Sequence, residues 1–432
     1  MPWMQQKQLV LSGHQAGISI QEAPFKMNTA QCWFELSCSS EVFFKGIHMR
    51  FLFTVFSLLI SAIGFAASQS SVKKGFNEPF IQEYGMDQSR VCPDCPTNSM
   101  PRSSAEISTA LKILDDQNGI ATFREIVSLA FLEPGFKGDQ QNYDVVDHVM
   151  ALYRDQNADL ILTVGRSFPQ WMSASSWCPM PEKDLDWKLL RDSIAGVFAR
   201  YLTHLNSQPE FADWMKHHLS VEGMNEFDDL LGPDCKSHNL ATPLRAAELE
   251  NSIQLSLKQA NINVSYLMPS IAGVYSGYPG VTATELFKNY LRDYYAAKGI
   301  GLPNIHLYFN PPQDPTSLVE QVEKILAVVS AAVPAEFQNS IAITEFGAAE
   351  QTLSCRGGTS MPLSERNQYY NLLLSNSQIQ SQTSFLMLWR LADLALPTAA
   401  VPDCEKTHGA MTSDLHNFKP GSEVFLRSMR SK

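Results

Sequence analysis

Two glutamates stand out because each follows a short apolar run. Glu226 lies in the segment VEGMNEF and Glu345 lies in the segment ITEFG. A pair of this kind can cleave a glycosidic bond, because one carboxylic acid protonates the leaving oxygen while one carboxylate meets the oxocarbenium-like carbon. That chemistry requires neither a metal nor an organic cofactor, so we predict none.

Two other glutamates compete for the same roles. Glu222 precedes Glu226 by four residues, which places it on the same face of the chain but one layer deeper. We interpret Glu222 as a buried structural partner. Glu350 follows Glu345 in a predicted loop, where a solvated charge is the ordinary interpretation.

The elements that must position these residues alternate along the chain. Apolar, β-branched runs are followed by amphipathic stretches, such as the apolar stripe at spacings of three and four between Trp187 and Leu205. The strand-like runs are 120–123, 160–164, 219–222, 264–268, 305–309, 341–344 and 385–389, with a weaker first one around 80–84.

Eight such units predict an α/β fold of the (β/α)8 TIM-barrel type, formed as a single domain. Right-handed crossovers through helices make the strands parallel, and the active site of a barrel lies at the carboxyl ends of its strands. Glu226 and Glu345 would then face one cleft, three units apart. The rival fold, an open doubly wound sheet, would need a glycine-rich phosphate turn, and the sequence contains neither GxGxxG nor GxxxxGK[ST].

The composition excludes several classes of protein. The chain has 432 residues, of which 44% are hydrophobic, and a formal net charge of -11. An apolar fraction this high excludes a disordered chain. An acidic chain without a Lys/Arg block lacks the electrostatic surface that nucleic acid or an anionic membrane needs. We therefore expect a neutral substrate and no nucleic-acid partner.

The N-terminal region predicts export. Met49 and Arg50 precede an apolar run that is short for a membrane span, and small residues follow it. We predict a non-native upstream extension at 1–48, a signal peptide at 49–66 and a catalytic domain at 67–432. A single anchoring helix is the alternative. The mature chain would be a secreted monomer, extracellular or periplasmic, without a membrane contact.

Six cysteines follow the predicted signal, and an even number in an exported chain indicates disulfides. We predict bridges between loops that follow neighbouring strands and a third, local bridge across a CxxC segment. A zinc or redox role for that segment is the alternative, although no second CxxC or paired His supplies further ligands. The predicted pairs are Cys178 with Cys235, Cys355 with Cys404, and Cys92 with Cys95.

Several short motifs occur in an order that one group of barrel enzymes shares. They are TFR at the second strand, Asn-Glu after the fourth, His-x-Tyr at the sixth, TEFG at the seventh, Trp at the eighth and Lys-Pro before the last helix. Together, over residues 120–430, they resemble clan A of the retaining (β/α)8 glycoside hydrolases, the group that includes families 5 and 39. The third strand ends in LTVGRS, without the His that many family 5 cellulases carry.

The resemblance implies a role for each matching residue. Glu226 would be the general acid/base and Glu345 the nucleophile. Asn225 would bind the 2-hydroxyl of the sugar, and Trp389 would form the floor of the sugar site at subsite −1.

The resemblance also implies how the nucleophile is kept ionised. Arg124 would hold Glu345 as a carboxylate, and Tyr308, in the motif that begins at His306, would donate a hydrogen bond to it. The resemblance also places His306 itself among the substrate-binding residues. The pKa values of the two glutamates must differ, because one is ionised while the other is protonated. We therefore expect charge on Glu345 and a less polar setting around Glu226.

The sequence thus predicts a secreted retaining glycoside hydrolase that cleaves the O-glycosidic bonds of a β-linked neutral glycan, in the manner of a cellulase or β-glucanase. Its partner would be an oligo- or polysaccharide. The first alternative is a carbohydrate-binding protein of the same fold without catalysis. A serine esterase is a second alternative, but the sequence has no GxSxG elbow.

Overall fold

The computed structural model describes residues 71–88, 101–135, 141–173, 178–232, 237–309, 314–350, 360–393 and 409–430. All of these belong to one compact unit, Gln69–Lys432. The predicted extension and signal peptide lie outside the described residues, and they stay predictions. Within these ranges no helix has both the length and the apolar character that crossing a membrane requires.

Eight parallel strands form a nearly closed barrel. Their order in the sheet is β5-β4-β3-β2-β1-β10-β7-β6, and isolated parallel bridges, such as Leu267 with Leu302, join the two outer strands. Two further strands, β8 and β9, pair with each other in a separate sheet. The described strands are β1 Lys73–Asn77, β2 Thr122–Val127, β3 Asp159–Val164, β4 Leu219–Glu222, β5 Ser265–Leu267, β6 Asn304–Leu307, β7 Ile341–Phe346, β8 Ala349–Glu350, β9 Ser360–Met361 and β10 Thr383–Leu388.

Helices alternate with the barrel strands, as the sequence predicts. The longest, α5, turns the stripe between Trp187 and Leu205 toward the protein interior. The described helices are α1 Phe80–Asp87, α2 Ser104–Lys112, α3 Leu129–Leu132, α4 Tyr143–Asp155, α5 Asp184–Asn206, α6 Pro209–His218, α7 Pro243–Gln259, α8 Ala283–Ala296, α9 Pro315–Ser330, α10 Leu363–Ser375, α11 Ser377–Gln382 and α12 Glu423–Met429. The (β/α)8 barrel is therefore confirmed.

Side-chain caps fix where several helices begin. Thr282 accepts a hydrogen bond from the backbone N–H of Glu285, and the Glu285 carboxylate binds the backbone N–H of Thr282. This capping box starts α8 by satisfying N–H groups that have no partner within the helix. Asp314 caps α9 in a similar way, ahead of Pro315 at its first position.

The first strand is the one element that the sequence prediction places wrongly. Residues 80–84 lie in α1, and the strand is Lys73–Asn77. The segment KKGFN lacks β-branched residues, which is why its pattern does not indicate a strand. Its second lysine, Lys74, is nevertheless buried, and the Lys74 ammonium donates to the carbonyl oxygen of Ser428 at 2.8 Å. The α1 segment starts as a helix because Glu125 accepts from the backbone N–H of Phe80 at 3.1 Å.

The barrel interior has an apolar layer and a polar layer. A small cluster, separate from the main core, joins side chains of four strands: Ile161, Leu267, Ala342, Phe385 and Met387. Strands on opposite sides of a barrel can touch only through its interior, so this cluster fills the barrel axis. Buried charged side chains lie at the carboxyl ends of the strands, where a barrel carries its active site.

Candidate active site

Arg124, on β2, lies at the centre of these charged side chains and has no exposed surface. Its Nε and Nη2 bind the two oxygens of Glu222 at 2.7 and 2.8 Å. Nη1 donates to Asn77 Oδ1 at 2.8 Å and to Glu345 Oε1 at 2.7 Å. Nη2 also donates to Asn225 Oδ1 at 2.7 Å. All five N–H groups have an acceptor, which is what a buried guanidinium requires.

Glu345 is the penultimate residue of β7 and is 3% exposed. Arg124 binds one of its oxygens, and the Tyr308 hydroxyl donates to the other, Oε2, at 3.0 Å. The structure therefore brings Arg124 and Tyr308, the two side chains that the sequence places around the predicted nucleophile, into contact with Glu345. Burial raises the pKa of Glu345 above its usual value, in spite of the neighbouring His306 and the positive charge of Arg124.

Glu226 follows β4 and takes a left-handed conformation, with φ 46°. A residue other than glycine adopts this conformation at a cost, and its surroundings must hold it there. The Ser270 hydroxyl accepts from the backbone N–H of Glu226 at 2.8 Å. The Glu226 side chain is 18% exposed, and Arg166 Nη1 lies 3.3 Å from its Oε2. Asp229 accepts a hydrogen bond from the same nitrogen of Arg166, Nη1.

The electrostatic order of the two glutamates is the reverse of the expected one. Burial alone would raise the pKa of Glu226, but the hydrogen bond with His306 and the charge of Arg166 lower it to about 2. The prediction of a less polar setting for Glu226 was wrong, because the sequence gives no sign that Arg166 turns toward it. Arg124 does not offset burial at Glu345, since it shares its charge with Glu222.

His306 connects the two glutamates. Its Nδ1 lies 3.2 Å from Glu226 Oε1 and 3.4 Å from Glu345 Oε2, and the side chain is buried. On the other side of the ring, Nε2 lies 3.1 Å from Thr344 Oγ1. The sequence assigns His306 to substrate binding, whereas in the structure it contacts both carboxylates.

The remaining predicted residues lie at the same mouth. Asn225 is 8% exposed and contacts Arg124, and Trp389 directly follows β10 and is half-buried. The guanidinium of Arg390 lies 5.9 Å from the centroid of the Trp389 ring. Glu222 is buried beneath Glu226, as expected for a structural partner. Glu350 belongs to β8, so the prediction that it lies in a loop was wrong.

Sequence reasoning missed Arg166, Asp229 and Asn77 as parts of the site. Arg166 was visible at the end of the third strand, and its position at the carboxyl edge was the signal that could have placed it in the cleft. Asn77 was hidden because the first strand was placed too late in the chain. The Asn77 amide donates to the carbonyl oxygen of Thr344 at 2.7 Å, which ties β1 to β7 beneath the glutamates.

One group of potential metal donors lies in the described part of the site. Glu226, His306 and Glu345 each place a donor atom within 4.8 Å of the others. The two carboxylates already form ion pairs with Arg166 and Arg124. Two adjacent guanidinium charges oppose a further cation, so this group does not fit a metal centre.

The cysteine predictions fall mostly outside the described residues. Cys178 is buried and disulfide-bonded. Its partner lies outside the described ranges, as do the other five cysteines of the predicted pairs, so the pairing stays a prediction: Cys92, Cys95, Cys235, Cys355 and Cys404.

No protein-family model and no curated protein matches the sequence. Solved structures do match. The exo-β-1,4-mannosidase Op5Man5 from Opitutaceae bacterium strain TAV5 is 17% identical with a TM-score of 0.56, over 83% of this chain. This chain spans 59% of the mannosidase's length.

In two other matches, this chain spans a larger share of the matched protein. A GH5_18 protein from Streptomyces cattleya, solved with GlcNAc, is 12% identical with a TM-score of 0.59, over 84% of this chain and 80% of its own. A GH5-4 broad specificity endoglucanase from Clostridium acetobutylicum is 13% identical with a TM-score of 0.53, over 84% of this chain and 98% of the endoglucanase chain. At these identities, the chain is shown to have the (β/α)8 fold that these glycoside hydrolases share.

Proposed function

We propose that this chain is a retaining glycoside hydrolase that cleaves β-linked neutral glycans by double displacement. Glu345 would attack the anomeric carbon, and Glu226 would protonate the leaving oxygen and later activate water. One observation carries the proposal: the two carboxylates share the barrel mouth with oxygens within 4.8 Å of each other. Retaining enzymes hold their carboxyl groups about 5–5.5 Å apart, whereas inverting enzymes need roughly 6.5–9.5 Å.

Charge pairing in the site supports a neutral substrate. The guanidinium of Arg124 is bound by Glu222 and Glu345, and that of Arg166 by Glu226 and Asp229. An acidic sugar would need a cation that is not already neutralised in this way. A neutral sugar meets instead the hydrogen-bonding groups of the site and the half-buried ring of Trp389. Two of the matching structures, an exo-β-1,4-mannosidase and a broad specificity endoglucanase, are consistent with this substrate class.

A non-catalytic carbohydrate-binding protein is the second candidate, because of one observation. Without substrate, Glu226 has a pKa of about 2 and burial raises that of Glu345. Double displacement needs the opposite order, with an acidic Glu226 and an ionised Glu345. A catalyst must therefore move a proton to Glu226 when substrate binds, whereas a binding protein need not.

Export and disulfide pairing belong to the same proposal. An apolar segment after Met49 would direct the chain out of the cytoplasm, and the disulfide at Cys178 suits an oxidising compartment. We propose Cys235 as its partner, because both cysteines follow neighbouring strands. Mass mapping of the non-reduced mature chain would test the signal cleavage near residue 66 and all three pairs together.

Covalent trapping tests the catalytic proposal. The mature enzyme is incubated with activated 2-deoxy-2-fluoro β-glucosides, β-mannosides and β-xylosides, and the adduct is located by peptide mass mapping. We expect one glycosyl group on Glu345, and no adduct in Glu345→Ala. Glu320→Gln, at an exposed position on α9, is the matched control and should label as the wild type does. Reversible oligosaccharide binding without turnover or adduct would support the binding protein instead.

The acid/base role has its own test. Glu226→Ala should lower kcat for substrates with poor leaving groups by about 10²–10⁴-fold, because the leaving oxygen loses its proton donor. Azide should restore turnover of an activated aryl glycoside and yield a β-glycosyl azide, since a small anion can attack the glycosyl enzyme without a general base. An α-glycosyl azide, or no rescue, would contradict the assignment of Glu226.

A further inference from the structure

The two nitrogens of His306 face different partners. Nδ1 faces the carboxylates of Glu226 and Glu345, at 3.2 and 3.4 Å. Nε2 faces the hydroxyl of Thr344 at 3.1 Å. Which nitrogen carries a proton therefore decides whether the imidazole donates to, or accepts from, the catalytic carboxyl groups.

The partner on the Nε2 side decides the question. Thr344 donates its only hydroxyl proton to Asn304 Oδ1 at 2.6 Å. The Asn304 amide takes that orientation because its Nδ2 points to the carbonyl oxygen of Met268, at 3.5 Å. With its proton committed, the Thr344 oxygen can only accept from the ring, so Nε2 of His306 carries a hydrogen.

The consequence appears on the Nδ1 side. If Nδ1 carried no hydrogen, its lone pair would face two carboxylates, which repel it. Either Nδ1 is also protonated, or one of the two carboxyl groups is protonated and donates to it. In both cases one extra proton is held between His306, Glu226 and Glu345.

We propose that His306 stores the proton which Glu226 delivers to the leaving group, and that Asn304 and Thr344 are positioning residues that fix the ring for this task. This inference rests on the proposed function. In the first step the Nδ1–H bond breaks and the proton moves to Glu226 Oε1, which leaves a neutral ring with hydrogen on Nε2. Glu226 then protonates the glycosidic oxygen as Glu345 displaces it. Water, attacking the glycosyl enzyme, gives its proton to Glu226, and that proton returns to Nδ1.

A proton held on His306 explains how Glu226 can act as an acid although its pKa is low before substrate binds. The proton cannot stay on Glu226, because Arg166 and His306 stabilise the carboxylate. His306 lies within hydrogen-bond distance of Glu226, so a single transfer supplies the acid when substrate is bound. The charged and titratable groups that the structure describes around His306 and its two carboxylates are Arg124, Arg166, Glu222, Glu226, Asp228, Asp229, Tyr308 and Glu345.

The pH profile of kcat/KM in Thr344→Val and Asn304→Ala tests the relay. Valine removes the acceptor for the Nε2 hydrogen, and alanine frees the Thr344 hydroxyl to donate to Nε2. Both changes weaken retention of the extra proton, so the alkaline limb of the kcat/KM profile should move to lower pH by about one unit. At a pH above the wild-type limb, this shift lowers kcat/KM about tenfold relative to the wild type. Thr344→Ser keeps the hydroxyl and should keep the wild-type limb.

A second measurement does not depend on activity. Nitrogen-15 shifts of the histidine rings, with His306 assigned by His306→Gln, should show hydrogen on both Nδ1 and Nε2 in the resting wild type. A bare Nδ1, a bare Nε2, or an alkaline limb that stays unmoved in folded Thr344→Val and Asn304→Ala would overturn the relay. Failure of the proposed function would appear differently, as the absence of any trapped adduct in the wild type while the ring nitrogens still show the predicted state.

Discussion

At the scale of single residues, Arg166 governs the protonation of Glu226, the proposed acid. Its Nη1 lies 3.3 Å from Glu226 Oε2, and the pKa of Glu226 is lowered to about 2. Arg166→Met removes the charge that favours the carboxylate and leaves Asp229 as an added negative charge nearby. Both effects raise the pKa of Glu226, so the alkaline limb of kcat/KM should move to higher pH, by about one unit.

Arg166→Lys is the matched control for that profile, because it keeps a positive charge at the same place and should stay near the wild type. An alkaline limb that is unmoved or lower in Arg166→Met would contradict the argument. The direction of the shift also distinguishes the effect of Arg166 from that of the relay, because the alkaline limb moves to higher pH in Arg166→Met and to lower pH in Thr344→Val. Stopped assays with an aryl β-glycoside over a series of buffers measure both.

The same residues show what the sequence could and could not predict in the site. Motif and strand position placed Glu226, Glu345, Arg124 and Tyr308 together, because each lies at or just after the end of a strand that the sequence predicts. The pairing of Arg166 with Glu226 could not be predicted: a side chain at a strand end can turn to either neighbour, and the choice depends on the loop backbone. The left-handed backbone conformation of Glu226 is one such feature of the loop that the sequence pattern does not indicate.

At the scale of elements, alternation of apolar runs predicted seven of the eight barrel strands to within a few residues. Strands buried on both faces consist of apolar runs, and that pattern is local. The pattern does not predict β1, because the burial of its polar residues depends on distant partners. Lys74 donates a hydrogen bond to Ser428, and Asn77 donates one to Thr344. Polar residues in a strand carry no signal when the groups that satisfy them lie hundreds of positions away.

Gly75, in the middle of β1, permits the close approach of β2. A Cβ at this position would lie 1.8 Å from the carbonyl oxygen of Thr122, a backbone atom. Gly75→Ala should therefore separate β1 from β2 and lower the free energy of unfolding by about 3 kcal/mol or more. Urea unfolding followed by tryptophan fluorescence measures the loss.

Gly196, inside α5, is the matched control. A Cβ there would meet only the end of the Arg200 side chain, at 3.3 Å, which can move. Gly196→Ala should raise stability by up to about 1 kcal/mol, because alanine is the better helix former. If the two substitutions changed the free energy of unfolding equally, the close contact between Gly75 and β2 would not be what excludes a larger residue at position 75.

At the scale of the whole molecule, a buried ionic cluster joins the first and last barrel strands. Arg102 Nε lies 2.8 Å from Glu83, and Arg390 Nη2 lies 3.6 Å from Glu78. Glu125, on β2, adds a third buried carboxylate against two guanidinium groups. With carboxylates in excess, burial raises the pKa of Glu83 to about 7 and that of Glu125 well above its usual value.

This cluster makes folding stability fall as pH rises toward neutrality. A carboxyl group whose folded pKa lies above its unfolded value stabilises the fold fully below the unfolded value, and that contribution is lost as pH rises through the folded one. For Glu83 the window runs from 4.5 to about 7, for at most about 3 kcal/mol. The lowered pKa of Glu226 acts only below this window. Calorimetry should therefore give a higher Tm at pH 5 than at pH 8, and Glu83→Gln, which cannot ionise, should narrow the difference. A Tm that rises from pH 5 to pH 8 would show that Arg102 and Arg390 keep all three carboxylates ionised.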